Sequence, residues 1–277
     1  MIYILLQPDD NQQRIKVDFI ALSKNTNKLS PYHHEIGSHF IELQQVDSTN
    51  NYATGLVHAG MAQGGTVVFT HEQTKGKGQR TKTWKSQKGA NILMSVVIQP
   101  RPLPLTQGFL LSMATANAVH RFFRPLAGSE TKVKWPNDLY WRDRKAGGIL
   151  IENIIHGTEW HYAIVGIGIN INQVEFPGLK AKAVSLRQIT GKEYDVLALA
   201  RQLCRHLQQC YALLESHPHV IREEYHEHLY KLDETVRLKQ DGRVFDATIK
   251  GVTPLGDLVT FSTIEERFSV GEVEWVG

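Results

Sequence analysis

Cysteine is nearly absent from this 277-residue chain, which carries Cys204 and Cys210 alone. They lie six residues apart in one predicted helix and so on different faces, which argues against an intrahelical disulfide and leaves no Cys-x-x-Cys metal pair. Reduced thiols in the cytoplasm are the simplest expectation. Long apolar runs are also lacking. No stretch approaches the roughly 18 consecutive apolar residues of a membrane-spanning helix. The amino-terminal MIYILLQPDD ends its short apolar run at Gln7 and has no basic leader, which predicts no secretory signal. A large excess of charge of one sign is missing too. A formal charge of +3 does not by itself imply nucleic acid, so the position of the charge matters more than its sum. Hydrophobic residues at 42% and charged residues at 21% exclude a disordered chain, and the length suffices for a large core.

Residues 1 to about 36 show no regular pattern and are expected to form an extension outside the main core, compatible also with a start codon assigned too far upstream. From His39 the pattern becomes regular. Phe40–Val46 alternates like a strand, and Ser48 or Thr49 can cap a helix through Tyr52, Leu56 and Val57. Thr66–Thr70, Ile92–Gln99, Val133–Trp135, Gly148–Ile155 and Trp160–Gly168 are predicted strands. Leu110–Phe123, Leu197–Leu214 and His219–Lys231 are predicted helices. Helices interspersed with adjacent strands imply an α+β fold on a mixed sheet. After Leu232 the texture changes to short strands at Val236–Lys239, Val244–Ile249, Leu258–Phe261 and Phe268–Val270. They are separated by Asp241-Gly242 and Pro254-Leu255-Gly256-Asp257, which predicts a small β-barrel. The expected division is 1–36 extension, 37–232 main domain and 233–277 barrel domain.

Three segments carry candidate chemistry. Lys75 to Lys88 reads KGKGQRTKTWKSQK, with six basic residues of fourteen and none acidic. Gly76 and Gly78 can turn backbone N–H groups toward an anion, and Trp84 offers a flat surface for stacking on a base or covering a pocket. A solvated basic loop is the plainer alternative, and the segment is not a P-loop. Lys134-Trp135-Pro136-Asn137-Asp138 leaves a strand and turns at proline, and Arg144 to Glu152 turns into the next strand, so both charge signs sit beside a β edge. A surface ion pair would explain a lone Asp or Lys there. Gly166-Ile167-Gly168-Ile169-Asn170 alternates glycine with isoleucine, which implies close approach by a ligand or another backbone, and plain packing explains that segment alone equally well. The thirteen histidines include His217, His219, His226 and His228 near one helix, but the order His-Glu-x-x-His is missing, so surface or helix-terminal positions are expected and no metal site is assigned.

Taken together, Asp47-Ser48-Thr49-Asn50, Gln73 to Arg80, Lys134 to Asp138, Lys145 to Glu152 and Gly166 to Asn170 resemble, in order, the motifs of the biotin–protein ligases. The resemblance runs from about residue 40 to the end. It implies a catalytic domain like that of class II synthetases, followed by a small carboxy-terminal barrel of Src-homology type. It also implies a ligase that uses ATP to convert biotin to biotinyl-5'-AMP and then attaches it to a lysine of a biotin carboxyl carrier protein, with Mg²⁺ on the phosphates. Biotin contacts would come from Ser48, Thr49, Asn50, Gln73, Gly76, Lys77, Gly78, Gln79, Lys145, Gly148 and Gly168. Nucleotide contacts would come from Lys77, Arg80, Lys82, Trp84, Asn137, Lys145 and Asn170. Lys145, Asp138 and Asn137 would lie at the reacting centre. The chain departs from the family at Gln79 and Thr81, where some members carry arginine and most glycine. About 40 residues precede the first motif, too few for the DNA-binding domain of bifunctional members, so no DNA partner is expected. A homodimer is compatible with the resemblance.

Activation brings two anions together, and Lys145 with the Lys77 loop would supply the positive charge. The acceptor lysine must then be neutral, at a cost of roughly 4 kcal/mol at neutral pH. Asp138 could act as its general base or simply position it. A lipoate–protein ligase shares this logic and differs in the loop at Gly76–Arg80. A single-strand nucleic-acid module using Lys75–Lys88 would leave Lys145, Asn137 and Gly166–Asn170 without a role.

Overall fold

The computed structural model describes residues 35–276 except 81, 101, 102, 180 and 181, so residues 1–34 of the expected extension lie outside the described residues. Ile36, placed by the sequence in that extension, is buried in the core, and its amide donates to Gln208 Oε1 at 2.7 Å. The chain then forms β1 (Phe40–Leu43), α1 (Thr49–His58), β2 (Val67–Thr70), β3 (Asn91–Ile98) and α2 (Gly108–Ala127). Four strands follow: β4 (Thr131–Lys134), β5 (Asp138–Trp141), β6 (Arg144–His156) and β7 (Glu159–Asn170). Next come α3 (Leu186–Thr190), α4 (Val196–Ser216) and α5 (Pro218–Glu227). The last strands are β8 (Thr235–Gln240), β9 (Arg243–Val252), β10 (Leu258–Phe261), β11 (Glu265–Phe268) and β12 (Glu274–Trp275).

A seven-stranded sheet runs β1-β2-β3-β7-β6-β5-β4, and a five-stranded sheet runs β11-β10-β9-β8-β12. The larger sheet is mixed, because β1 pairs parallel with β2 while its other pairings are antiparallel. The α+β class and the small carboxy-terminal β-unit are as the sequence implies. Side chains alternate across a strand, and that alternation positions everything that follows. On β3, Ile92, Met94, Val96 and Ile98 enter the main core beneath α2 and α4, while Val97 packs with Ala53 of α1 on the opposite face. On β7, Ala163, Val165, Ile167 and Ile169 enter the main core, and Ile164 joins the α1 face. Gly166, Gly168 and Asn170 share that second face by parity. The registers Ser95↔Gly166, Leu93↔Gly168, Gly148↔Gly168 and Leu150↔Gly166 bring three strands into line there.

Three expectations need correction. The strand expected over Phe40–Val46 ends at Leu43, and Val46 makes only an isolated bridge with Gln73. The helix expected to run to Lys231 ends at Glu227, because the chain then pairs with β4: Val133 N–H donates to the His228 carbonyl and Tyr230 N–H to the Val133 carbonyl, each at 2.8 Å. Backbone pairing with a strand edge overrides helical periodicity here. The strand expected at Phe268–Val270 lies instead at Glu265–Phe268, where it folds back on β10 in the register Phe261↔Glu265. Strands β5 and β12 were not anticipated; each is four residues or fewer and becomes visible only through its partner. The Asp241-Gly242 turn between β8 and β9 is the expected hairpin, with both residues at positive φ, 47° and 86°.

His120 of α2 is buried and stacks on His228 with ring centroids 4.0 Å apart, its Nε2 lying 3.1 Å from the Thr131 carbonyl. Burial is the main cause that pushes the His120 pKa down to about 3; the neighbouring His228 adds to it, and burial also lowers the His228 pKa. Both rings are therefore held neutral. An unfolded chain takes up protons below about pH 6.5 that the folded state refuses, so this contribution is present above pH 6.5 and is lost as pH falls toward 3. The expected outcome is a melting temperature that declines steadily below pH 6.5, with a shallower decline in His120→Gln. Parallel slopes for the two proteins in scanning calorimetry would show that this histidine does not drive the acid sensitivity.

Candidate active site

The site is built on the α1 face of the large sheet, where glycine replaces bulky side chains. A side chain at Gly166 would run into Asn50, and a Cβ on Gly168 would lie 2.7 Å from the Trp84 indole. A Cβ on Gly148 would lie 3.2 Å from both Lys145 Nζ and Asp138 Oδ1. The glycine–isoleucine alternation thus fills the core with one half of its residues and leaves room for site groups above the other half.

The start of α1 forms one wall. Ser48 occupies its N-cap position, as the sequence suggests, but makes no side-chain capping bond. Gln73 does that work from across the fold: its Oε1 accepts from the Thr49 amide at 2.8 Å and from Thr49 Oγ1 at 3.1 Å. A helix amino terminus leaves unsatisfied N–H groups, and a neighbouring carbonyl oxygen can satisfy them as well as a local hydroxyl. Beneath lies Ser95, fully buried, with its Oγ 2.7 Å from Thr49 Oγ1 and 2.6 Å from Asn50 Oδ1. Asn50 donates to Glu152 Oε2 at 2.7 Å, and Glu152 Oε1 in turn accepts from Lys77 at 3.1 Å. The network therefore runs from Gln73 through Thr49, Ser95, Asn50 and Glu152 to the basic loop. Ser95 was missed from the sequence, although a lone hydroxyl inside the apolar strand Asn91–Ile98 signals a buried polar group that needs partners.

The loop is folded back on itself. Gly78 N–H donates to the Lys82 carbonyl at 2.8 Å, Trp84 N–H donates to the Gly76 carbonyl at 3.0 Å, and Lys77 bridges to Thr83. Gly76 and Gly78 are the positions that permit this tight return. Trp84 lies over Gly168 with Lys145 Nζ 5.9 Å from its ring centroid, and its indole Nε1 is buried without a partner among the described residues. Gln79 is half-buried, while Lys82 and Arg80 are exposed. Arg80 points away from this network, its guanidinium filling the space beside Gly271 of the small sheet.

The opposite wall holds the charged pair. Lys145 donates to Asp138 Oδ1 at 2.6 Å, and both side chains are about one-third exposed. Two asparagines support the pair instead of facing a cavity. Asn137, buried, donates to the Ile149 carbonyl and ties the β4–β5 turn to β6. Asn170, also buried, donates to the Val184 carbonyl at 3.1 Å and the Lys145 carbonyl at 3.4 Å, which ties the backbone at Lys145 to that at Val184. Ser48, Thr49, Asn50, Gln73, Lys77, Gly148, Gly168, Trp84, Lys145 and Asp138 are thus brought to one face, with the Asn137 and Asn170 amides bonded to the backbone beside it. The arrangement offers a cluster of exchangeable hydrogen bonds, a flat aromatic cover and an ammonium group above a glycine floor. That is a fit for a neutral polar ring joined to an anion.

This fold is also that of the solved biotin protein ligases. The structure of biotin protein ligase from Aquifex aeolicus in complex with biotin and ATP matches with a TM-score of 0.74 at 23% identity, over 86% of this chain and 100% of that one. The model of the Biotin/lipoate A/B protein ligase family matches residues 42–170. The bifunctional ligase/repressor BirA of Bacillus spizizenii is 36% identical over 163 residues, or 58% of this chain and 50% of that protein. The biotin--[acetyl-CoA-carboxylase] ligase of Mycobacterium tuberculosis is 29% identical over 169 residues, or 60% and 61%. The chain spans about half the length of the ligase/repressor relative.

Replacing Ser95 by alanine leaves Asn50 Oδ1 without its buried donor. A buried polar group so orphaned costs about 1–3 kcal/mol. Urea denaturation of Ser95→Ala is expected to show that loss with an unchanged m-value, whereas wild-type stability would mean that water or a rearranged Asn50 replaces the hydroxyl.

Proposed function

We propose that this chain is a biotin–protein ligase. It condenses biotin with ATP to biotinyl-5'-AMP, releasing pyrophosphate, and passes the biotinyl group to a lysine of a biotin carboxyl carrier protein, of acetyl-CoA carboxylase or a related carboxylase, releasing AMP. The observation that carries this reading is Lys145: an ammonium on a glycine-floored sheet face, beside a cluster of polar groups from Thr49, Asn50, Gln73 and Ser95. The names of two of the proteins compared above support biotin over lipoate, since the Mycobacterium tuberculosis relative and the Aquifex aeolicus structure are both named as biotin ligases.

In this reading the polar cluster holds the ureido ring, exchanging its internal hydrogen bonds for bonds to the ligand. Lys145 leaves Asp138 to bind the biotin carboxylate and the α-phosphate, so that the two anions approach under one positive charge. Lys77 takes part only as Glu152 releases it, because the two are paired in the resting structure. Trp84 covers the ligand, and its unpartnered indole N–H supplies one more donor. Asp138 first positions Lys145; once that ammonium turns to the ligand, the freed carboxylate is available to the incoming lysine. No enzyme nucleophile is needed. Mg²⁺ would neutralise the phosphates, and the described residues hold no group of three metal-ligating side chains, so Asp138 is the carboxylate placed to assist and the phosphates would supply most ligands. Among the described residues no helix is long and apolar enough to cross a membrane, and both cysteines are free and buried, which supports a cytoplasmic enzyme.

The test is ATP–pyrophosphate exchange by purified protein, with and without biotin. Biotin-dependent exchange is expected, and exchange with lipoate or octanoate alone would move the chain to the lipoate branch. A charge-assisted bond to such an anion is worth about 1.5–3 kcal/mol, so Lys145→Ala should slow adenylate formation by about tenfold to a hundredfold. Lys145→Arg should recover little, because a planar fork does not replace a compact ammonium. Wild-type exchange in Lys145→Ala would remove this residue from the mechanism.

A further inference from the structure

Lys134 opens the Lys-Trp-Pro-Asn-Asp motif, yet its ammonium does not face the glycine floor. It lies in an aromatic box, 4.5 Å from the ring centroid of Trp275, 4.7 Å from that of Tyr140 and 5.5 Å from that of Tyr230. It donates to Tyr140 Oη at 3.4 Å, and among the described residues it forms no salt bridge with a carboxylate. Three separate parts of the chain build this box. Tyr140 comes from β5, two residues beyond Asp138. Tyr230 is brought in by the backbone pairing of residues 228–230 with β4. Trp275 comes from β12 of the small sheet. The box is complete only with the small sheet in place.

Lys134 is also the register partner of Asp138 across the β4–β5 turn. The ammonium is thus anchored at the base of the hairpin whose facing residue, Asp138, presents its carboxylate to Lys145. Two further contacts join the same parts. Trp135 Nε1 donates to the Gly256 carbonyl at 2.9 Å, and Arg80 of the basic loop rests against Gly271. The small sheet therefore touches the site-bearing motifs at Arg80, Lys134 and Trp135.

We propose that Lys134 is a positioning residue of the site, whose ammonium, clamped by Trp275 of the small sheet, fixes the β4–β5 hairpin and through it the Asp138–Lys145 pair. The inference rests on the reading of that pair as part of a biotin-activating centre. A cation over an aromatic face is attracted by the ring quadrupole, and the attraction grows as water is excluded. Burial meanwhile pulls the Lys134 pKa down to about 8, against the opposing pull of Asp138, while Lys145 and Lys182 lower it further. At neutral pH the group is still a cation and the clamp is engaged. Tyr140 and Tyr230, whose phenols burial pushes up to about 12 and beyond, remain neutral faces.

Four variants test the clamp. Lys134→Met keeps the apolar stem without the charge, and Lys134→Arg keeps the charge. Trp275→Leu keeps apolar bulk without the ring, and Trp275→Phe keeps a ring face. Displacing a reacting group by about 1 Å can cost up to a hundredfold in rate, so a loosened hairpin should lower kcat for biotin-dependent exchange by about tenfold. KM for biotin and for ATP should stay within about threefold, and circular dichroism should be unchanged, because only positioning is altered. Trp275→Phe should recover most of the loss, and Lys134→Met combined with Trp275→Leu should be no worse than either alone, since both break one interaction. If Trp275→Leu fails to fold, Lys134→Met decides the question. Folded variants with wild-type kcat, additive losses, or a raised KM for ATP at unchanged kcat would each overturn the clamp, the last by making Lys134 a direct phosphate contact. Wild-type protein without biotin-dependent exchange would overturn the reading of the site and this inference with it.

Discussion

The structure depends on a central strand, β7, that is buried on both faces and loads them differently. Its alanine, valine and isoleucine positions at 163, 165, 167 and 169 close the main core, while 166 and 168 on the other face are glycine. Burying aliphatic side chains on one side anchors the strand, at about 1.5–3 kcal/mol for each large one. The absence of side chains on the other side lets α1 and the basic loop approach the backbone closely. Any side chain at 166 or 168 would displace Asn50 or Trp84. The same alternation therefore builds both the core and the floor of the site, and a one-residue shift of register would exchange the two faces.

Above that floor, charges are paired before any ligand arrives. Lys145 is held by Asp138, Lys77 by Glu152 and Lys88 by Glu72. Half-exposed pairs of this kind contribute little to stability, about 0–1 kcal/mol each. They keep flexible ammonium groups near their working positions, and an incoming anion competes with a carboxylate instead of with bulk water alone. The basic character of Lys75–Lys88, prominent in the sequence, is thus partly neutralised in the fold. The anion-binding capacity rests on which pairs can open.

The small sheet is built onto the site more closely than its position at the end of the chain suggests. Gly256, Gly271 and Trp275 meet Trp135, Arg80 and Lys134 respectively. Two of these contacts require glycine, because Phe109 and Arg80 fill the space that side chains at 256 and 271 would need. The connection through residues 228–230, paired with β4, holds the two sheets in this relation.

The sequence by itself determined the alternation. Gly-Ile-Gly-Ile-Asn, the apolar strand around Ser95, the Asp241-Gly242 turn and the long amphipathic helices are local patterns, and their physics acts over a few residues. The order of the motifs also pointed to the family. The tertiary structure decided which functional-looking side chains stay clear of the backbone and which are bonded to it. Asn137 and Asn170 look like ligand contacts in a motif, but their amides are spent on the carbonyls of Ile149 and Val184, more than ten residues away. Gln73 caps a helix 24 residues earlier in the chain, Ser95 joins Thr49 and Asn50 from about 45 residues away, and Lys134 meets Trp275 only through the docking of the second sheet. Hydrogen bonds and cation–π contacts depend on distances of a few ångströms between groups far apart in sequence, and only the folded chain sets those distances.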